Sequence, residues 1–295
     1  MEIFTTLIFN GISEGAHIFL MAASLSVILG LLRVVNFAHG TVFLWGAYVF
    51  RTVFIALGGT TTSWILAILA AAAAGFILGA LFEWVFVSRV YGNVGAQIMI
   101  TLGLQVVFTE LVRVFWGPTQ LMVNRPEILS GVWNFHGVII VHYRLFLIIV
   151  GVVVAILGHL LLTRSRAGMT IRAGVQNSEM VGALGINIER YFTVVFAVGG
   201  ALAGMGGALF APINGTLTAE MGNAQQLLAF IVVIVGGMGS FMGSALGSLL
   251  LGIMMALIGF VIPDLSTAAP VALMAIVLIL KPEGLFRLGL AVKQK

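Results

Sequence analysis

The sequence predicts an all-α polytopic membrane protein with about eight to ten transmembrane helices, some of them broken or short. Of its 295 residues, 61% are apolar and only 8% are charged, whereas roughly a quarter of the residues in a soluble domain are charged. So few ionisable side chains cannot cover the surface of a soluble globule of this length. We therefore expect one transmembrane domain spanning residues 1–295.

Apolar runs separated by glycine, proline or charged residues define the predicted spans. The runs at 226–240 and 268–280 are short and are interpreted as half-helices or tilted segments. The predicted spans are 6–29, 34–55, 64–87, 97–116, 144–163, 190–212, 226–240, 243–262 and 268–280. The first run lacks the short apolar core and small-residue cleavage site of a signal peptide, so we expect it to be retained.

The positions of the basic residues predict the orientation of the chain. Arg164, Arg166 and Arg172 share one loop, and residues 281–295 are rich in lysine and arginine. Because short positively charged loops stay in the cytoplasm, we expect this loop and the C-terminus to be cytoplasmic. With nine crossings, residues 117–143 and the N-terminus lie outside.

Several classes of chemistry have no support in the sequence. The chain has no cysteine, which excludes disulfides, thiol nucleophiles and thiolate metal sites. It also lacks a basic block for nucleic acid, a P-loop lysine and the motifs of membrane hydrolases. His136 and His142 lie in the outer loop without a carboxylate or thiolate set, which makes a poor zinc site. We expect no metal, no nucleic acid and no cofactor in this chain, so any ATP must bind another subunit.

The segment from Thr163 to Arg190 is too polar for the bilayer and too long for a turn. Good helix formers dominate from Met169 to Leu184, and Gly185 is placed to end the helix. Apolar positions in this segment alternate with polar ones, Ile171, Val175 and Leu184 with Arg172, Gln176 and Glu179. This two-faced pattern predicts a cytoplasmic helix, within about residues 164–190, that docks on a partner or lies on the membrane surface.

A polar interruption in the second predicted span is one candidate for a solute pathway. Asn36, His39 and Gly40 interrupt an otherwise apolar stretch. Polar groups at membrane depth are costly, and broken helices are tolerated mainly where they line a cavity or are buried in protein. Asn36 and His39 are three residues apart, so we expect them to share a helix face and to bond each other or a neighbouring helix. Both a pathway and a simple helix contact fit this pattern.

The first predicted span carries one polar stripe, formed by Asn10, Ser13, Glu14, His17 and Ser24. A carboxylate about two turns inside the span must be paired, protonated or exposed to water. For Glu14 we consider pairing with His17, a water-filled vestibule and contact with the ammonium group of a solute. Near the outer end of another span, Glu110 and Arg113 are expected to pair with each other.

Small residues recur at every fourth position on three predicted helices. These stripes comprise Ala67, Ala71, Gly75 and Gly79; Gly200 and Gly204; and Ser240, Ser244, Ser248 and Gly252, with Gly243 also assigned to helix packing. In lipid, such stripes allow backbones to approach closely, because packing drives helix association there. Tight bundle packing is the favoured interpretation, and a pore lined by bare backbone is the alternative.

These motifs together resemble the permease subunits of high-affinity branched-chain amino acid ABC importers, the LIV type. The resemblance covers nearly the whole chain, and its most specific parts are Asn-Phe-Ala-His-Gly at 36–40 and Leu-Gly-Ile-Asn at 184–187, in that order. Shorter matching elements include Arg-Ala-Gly-Met at 166–169, Gly-Gly-Met-Gly-Ser at 236–240 and Lys-Pro-Glu-Gly-Leu-Phe at 281–286. The similarity implies a pathway-forming subunit in a bacterial cytoplasmic (inner) membrane that is not itself an enzyme.

The resemblance also implies partners and residue roles. A second homologous permease or a second copy, two cytoplasmic subunits that bind ATP and Mg, and an extracytoplasmic solute-binding protein are expected, besides membrane lipid. The cytoplasmic loop would then couple to the ATPase through five residues, Arg166, Arg172, Glu179, Gly185 and Asn187. The expected pathway residues are Glu14, His17, Asn36, His39 and Gly40.

Other functions remain open at this point. Glu14 and His17 stand where the family is expected to have apolar or hydroxyl residues, so urea, short amides and aromatic acids are alternative solutes. An autonomous channel or ion-coupled carrier would use the same two residues as a proton relay. A structural membrane subunit without a pathway is the third possibility.

Overall fold

The computed structural model describes residues 2–32, 34–135, 137–176 and 178–286, without the side chains of residues 31, 167, 175, 176, 178 and 179. Helices dominate these described residues. The α-helices are α1 (Glu2–Leu32), α2 (His39–Ala56), α3 (Thr61–Val85), α4 (Val94–Trp116), α5 (His142–Arg164), α6 (Arg166–Gln176), α7 (Ser178–Ala183), α8 (Ile188–Asn214), α9 (Met221–Gly236), α10 (Phe241–Val261) and α11 (Ala269–Leu280).

Four short strands lie in the connections at one end of the bundle. β1 (Leu121–Met122) pairs antiparallel with β4 (Thr216–Leu217), and β2 (Val132–Phe135) pairs with β3 (Val138–Val141) as a hairpin. The hairpin lies beside the start of α1, because the Ile139 N–H donates to the Thr6 hydroxyl at 3.3 Å.

The predicted all-α polytopic class is confirmed. Each of the nine predicted spans coincides with a helix, although the ends differ by several residues. Within the described residues, α1, α3, α4, α5, α8 and α10 are long and apolar enough to cross a membrane. The segments predicted to be short are α9 and α11, with 16 and 12 residues.

The start of α1 and the end of α11 lie on opposite sides of the bundle. The end of α11 lies beside the end of α9, where the Leu285 N–H donates to the Val235 carbonyl oxygen at 2.8 Å. The 117–143 connection lies with the start of α1, whereas α6 and α7 lie at the other end. Which of these two sides faces the cytoplasm stays a prediction, and residues 287–295 of the basic tail lie outside the described residues.

The core of the bundle forms around α8, which packs against α3, α2 and α1, while α1 also packs on α10. Glycines make these approaches close. A Cβ atom on Gly75 would lie 2.2 Å from the Gly200 carbonyl oxygen, and one on Gly204 would lie 2.4 Å from the Ala71 carbonyl oxygen. A Cβ atom on Gly79 would meet the backbone of α8 in the same way. The small-residue stripes on α3 and α8 therefore face each other.

The small residues of the third stripe allow α10 to pack closely against two helices, α9 and α1. A Cβ atom on Gly243 would lie 2.2 Å from the Gly236 carbonyl oxygen of α9, and one on Gly252 would lie 2.3 Å from the Gly15 nitrogen of α1. Ser240 caps α10, since its hydroxyl accepts the Gly243 N–H at 2.9 Å. In contrast, α3, α4, α5 and α11 each expose large apolar side chains, which suits contact with lipid.

Candidate functional site

The chain is not helical between α1 and α2, and residues 34–38 are called the α1–α2 break. The Asn36 side-chain oxygen accepts the Ala38 N–H at 3.0 Å, a local bond that competes with helix formation. The predicted interruption is therefore present. The expectation that Asn36 and His39 share a helix face is wrong, because α2 begins only at His39.

Side chains from two other helices satisfy the backbone of the α1–α2 break. The Val35 N–H donates to the Gln97 side-chain oxygen, and the Thr101 hydroxyl donates to the Val35 carbonyl oxygen, both at 3.4 Å. The Gln226 side-chain nitrogen donates to the Asn36 carbonyl oxygen at 3.3 Å. Irregular backbone at membrane depth requires such internal partners, so α4 and α9 hold the break in place.

His39 connects the start of α2 to the interior of α1. Its Nε2 lies 2.6 Å from the Ser24 hydroxyl oxygen, and that hydroxyl donates to the Met21 carbonyl oxygen. The tautomer consistent with this network has His39 Nε2 donating to Ser24. Ser24 is about 12 Å from the last residue of α1 at 1.5 Å per residue. Helix α2 therefore starts inside the bundle and not at its surface.

The first turns of α2 and α9 meet at this depth. A Cβ atom on Gly40 would lie 2.4 Å from the Gly222 carbonyl oxygen, and one on Gly222 would lie 2.5 Å from the Gly40 carbonyl oxygen. The two helices reach this point from opposite ends of the bundle. Because helix N-termini carry a partial positive charge, interrupted helices of this kind suit an anionic group of a solute.

Glu14 and His17 are close together without a hydrogen bond. His17 Nδ1 lies 3.9 Å from a Glu14 carboxylate oxygen, and neither ring nitrogen of His17 has a hydrogen-bond partner within the described residues. The His17 ring is fully buried and stacks on Phe210 at 4.5 Å between ring centroids. The Glu14 side chain is partly exposed, whereas the His17 side chain is not.

The described residues of the polar loop are helical on both sides of position 177, as α6 and α7, and this agrees with the helix predicted within residues 164–190. Gly185 follows α7 with φ +78°, and the Ile186 N–H donates to the Val181 carbonyl oxygen at 3.3 Å. This is the left-handed helix ending that favours glycine. Ile171 and Val181 are buried, whereas Leu184 is exposed. The loop therefore has one apolar side packed on the bundle and another that is exposed.

The basic and polar residues assigned to this loop have mainly local contacts. Arg166 begins α6 and is exposed, while the Arg172 guanidinium donates to the Leu162 carbonyl oxygen of α5. Asn187 caps α8, because its side-chain oxygen accepts the Arg190 N–H at 3.2 Å. The side chain of Glu179 lies outside the described residues.

Buried Glu83 connects the start of α8 to the connection between α3 and α4. It accepts hydrogen bonds from the Tyr91 hydroxyl at 2.9 Å and from the Thr193 hydroxyl at 2.5 Å. Burial, and secondarily the Glu83 carboxylate, raises the pKa of Tyr91 well above its ordinary value. Tyr91 therefore keeps its proton and remains a donor to Glu83 throughout the physiological pH range.

The predicted Glu110–Arg113 pair forms at the outer end of α4, and it has a third member. The Arg113 guanidinium also contacts the carboxylate of Glu220, which precedes α9. The hydrogen bond from Arg113 lowers the pKa of Glu220. This third member could not be predicted from local spacing, because Arg113 and Glu220 are more than 100 residues apart.

Comparison with known proteins identifies the family. Residues 7–280 match the family described as "Branched-chain amino acid transport system / permease component". The chain belongs to this family of permease components. The match spans all nine long helices except the first few residues of α1.

Several relatives of this permease are known. It is 27% identical over 295 residues to the high-affinity branched-chain amino acid transport system permease protein LivH of Salmonella typhimurium, covering 94% of this chain and 93% of LivH. It is 28% identical to the corresponding protein BraD of Pseudomonas aeruginosa, with 94% and 93% covered. The nucleoside ABC transporter permease protein NupC of Lactococcus lactis is 26% identical, with 76% and 73% covered.

One solved structure is also similar to the permease. It is PsaBC from Streptococcus pneumoniae in complex with Fab, with a TM-score of 0.46 and 12% identity. The similarity covers 93% of this chain and 88% of that chain.

The side chains that hold the α1–α2 break of the permease were not among the predicted site residues. Gln97, Thr101 and Gln226 are buried within apolar helices. An amide at membrane depth needs a partner or a function. This rule singles out Asn36, and it applies equally to Gln97 and Gln226. Their partner is backbone that is distant in sequence, so only the fold shows the connection.

Proposed function

We propose that this permease is the membrane-spanning subunit of an ABC importer in a bacterial inner membrane. Together with a second permease subunit, it forms the pathway for branched-chain amino acids or similar small polar solutes that an external solute-binding protein delivers. The supporting observation is the family match over residues 7–280. Relatives that cover more of the chain are named for branched-chain amino acids, and the nucleoside relative covers less, so an amino acid is the preferred solute.

In this proposal the α1–α2 break and the first turns of α2 and α9 form the inner part of the pathway. Asn36, His39 and Gly40 shape this region through the contacts described above. Glu14 and His17 lie on the part of α1 nearer its external end and would meet the solute earlier. Discontinuous helices at mid-depth are the usual place for solute sites in transporters.

ATP and Mg bind to two separate cytoplasmic subunits in this proposal. The loop with α6 and α7 couples to them, and its exposed apolar residues include Met169 and Leu184. Buried Ile171 and Val181 fix the loop to the bundle on its other side. A movement of the ATPase subunit can therefore be transmitted through the loop to the membrane helices, as in a rigid-body transition.

Reconstitution of the importer tests the proposed function. We expect the purified chain alone to hydrolyse no ATP and to transport nothing. The complex with its second permease, ATPase subunits and binding protein should take up leucine in liposomes only when ATP is supplied. Uptake by the chain alone, driven by a proton gradient, would instead support the autonomous carrier and overturn the proposal.

Substitution of Gly185 tests the coupling role of the loop. Gly185→Val places a β-branched residue at φ +78°, a conformation that costs L-residues about 1–2 kcal/mol. We expect it to displace Leu184, so that leucine uptake falls by about tenfold while ATP hydrolysis continues, since 1.4 kcal/mol corresponds to a factor of ten. Both rates are measured in the same liposomes.

A matched control exists on the opposite side of the bundle. Gly58 has φ +86° and follows exposed Leu57, and a Cβ atom on Gly58 would meet nothing within 4 Å, as is also true of Gly185. In the Gly58→Val variant, leucine uptake should therefore stay coupled to ATP hydrolysis. Equal behaviour of the two variants would remove the loop from the coupling mechanism.

A further inference from the structure

Helices α4 and α9 both pack on α2, and polar side chains bridge them at two levels. The Gln105 side-chain nitrogen donates to the Asn223 side-chain oxygen at 2.6 Å. Arg113 bridges Glu220 and Glu110 nearer the outer end. These five residues are called the α4–α9 strip.

The α4–α9 strip lies at a depth where contact with lipid would be costly. Gln105 is the twelfth residue of the 23-residue helix α4, so it is about 17 Å from either end at 1.5 Å per residue. Asn223 is exposed, and a buried oxygen of Gln105 has no hydrogen-bond partner within the described residues. Amides at such depths normally face a cavity or protein and not acyl chains, whereas the ion pairs of Arg113 lie within about 5 Å of the end of α4.

The strip is also directly connected to the α1–α2 break. Gln226 follows Asn223 by one turn of α9 and donates to the Asn36 carbonyl oxygen. On the other helix, Gln97 and Thr101 precede Gln105 and bond Val35. Both helices that carry the strip therefore hold the interrupted backbone beneath it.

The chemistry of the strip suits a small zwitterion. The guanidinium of Arg113 is a donor for a carboxylate, and the carboxylates of Glu110 and Glu220 are acceptors for an ammonium group. About 12 Å deeper along α4, the Gln105–Asn223 pair offers neutral donors and acceptors. A solute with both charges would find charged partners at the outer level and neutral hydrogen-bond partners at the inner level.

We propose that the α4–α9 strip faces the aqueous pathway and carries zwitterionic amino acids from the outer surface towards the α1–α2 break. This inference rests on the proposed function and assigns the wall of the pathway. It predicts that residues on the strip contact water at mid-depth, whereas residues at the same depth elsewhere on the surface contact lipid.

The absence of cysteine in the natural sequence allows a direct test by chemical labelling. Gln105→Cys and Asn223→Cys are introduced into the complete importer and treated with a membrane-impermeant cationic methanethiosulfonate. Ala224→Cys, next to Asn223 on α9, is added because it leaves both amides in place. The cysteines at positions 105, 223 and 224 are called the strip cysteines. The lipid control is Val153→Cys, the exposed twelfth residue of the 23-residue helix α5.

We expect each strip cysteine to react at least about tenfold faster than Cys at position 153, because only the hydrated thiolate reacts. Saturating leucine with the binding protein should slow the reaction at position 223, and a nucleoside should not. If none of the three strip cysteines reacts faster than the control while the complex still transports leucine, the inference is wrong and the proposed function stands. Fast reaction without protection by leucine would exclude the zwitterion as the ligand of the strip.

Discussion

Replacing Gly75 by leucine is expected to prevent the permease from folding into a stable bundle. A single added Cβ atom would already lie 2.2 Å from the Gly200 carbonyl oxygen. The obstacle is backbone, so no side-chain rotation relieves it, and α3 must separate from α8. Overpacking of a core costs typically about 1–3 kcal/mol, and we expect a loss at the upper end of this range or beyond it. Thermal unfolding and gel filtration in detergent measure the effect.

Ala73→Leu on the same helix is the control for this substitution. Ala73 lies on the exposed side of α3, so the larger side chain extends away from α8. We expect normal yield and an unchanged melting temperature for this variant. An equally stable Gly75→Leu protein would show that close contact between α3 and α8 is not required for the fold.

Replacing Asn36 by leucine is expected to stop transport while the importer still assembles. Leucine removes the acceptor for the Ala38 N–H in the α1–α2 break. A buried group left without its partner costs about 1–3 kcal/mol, and such energies shift a two-state equilibrium by about 5–150-fold. We therefore expect leucine uptake to fall by at least about tenfold. Uptake into liposomes and the subunit composition of the purified complex are measured together.

The matched control is Asn134→Leu in the exposed external hairpin. There the asparagine side-chain oxygen also accepts a nearby backbone N–H, that of Gly137, at 3.0 Å. Because this bond is outside the bundle, we expect full transport. Normal uptake by the Asn36→Leu variant would make the α1–α2 break a packing feature without a role in the pathway.

The positions of the helices could be predicted because they depend on local composition. Apolar runs indicated nine apolar helices, and the shortness of two of them, α9 and α11, was visible in the same runs. Gly185 was predicted to end a helix, and it does so with a positive φ. The small-residue stripes indicated which helix faces pack closely, although the pattern did not predict which helix packs against each face.

The details of the candidate site could not be predicted in the same way. The spacing of Asn36 and His39 suggested one helix, but the helix stops at Leu32 and restarts at His39. When a helix ends and another begins, several backbone N–H and C=O groups lose their helical hydrogen bonds. Gln97 and Gln226, from distant parts of the chain, supply replacement partners. No local pattern contains that information.

The sequence by itself determined the membrane environment, the positions of the apolar helices and the family, because these follow from composition and from motifs of a few residues. Only the tertiary structure decided that His39 bonds Ser24, that Glu220 joins the Glu110–Arg113 pair, and that α2 and α9 begin against each other. Each of these contacts joins residues brought together by helix packing. In a uniformly apolar chain, hydrophobicity places helices in the bilayer, whereas close packing and the need to satisfy every polar group decide which helices meet.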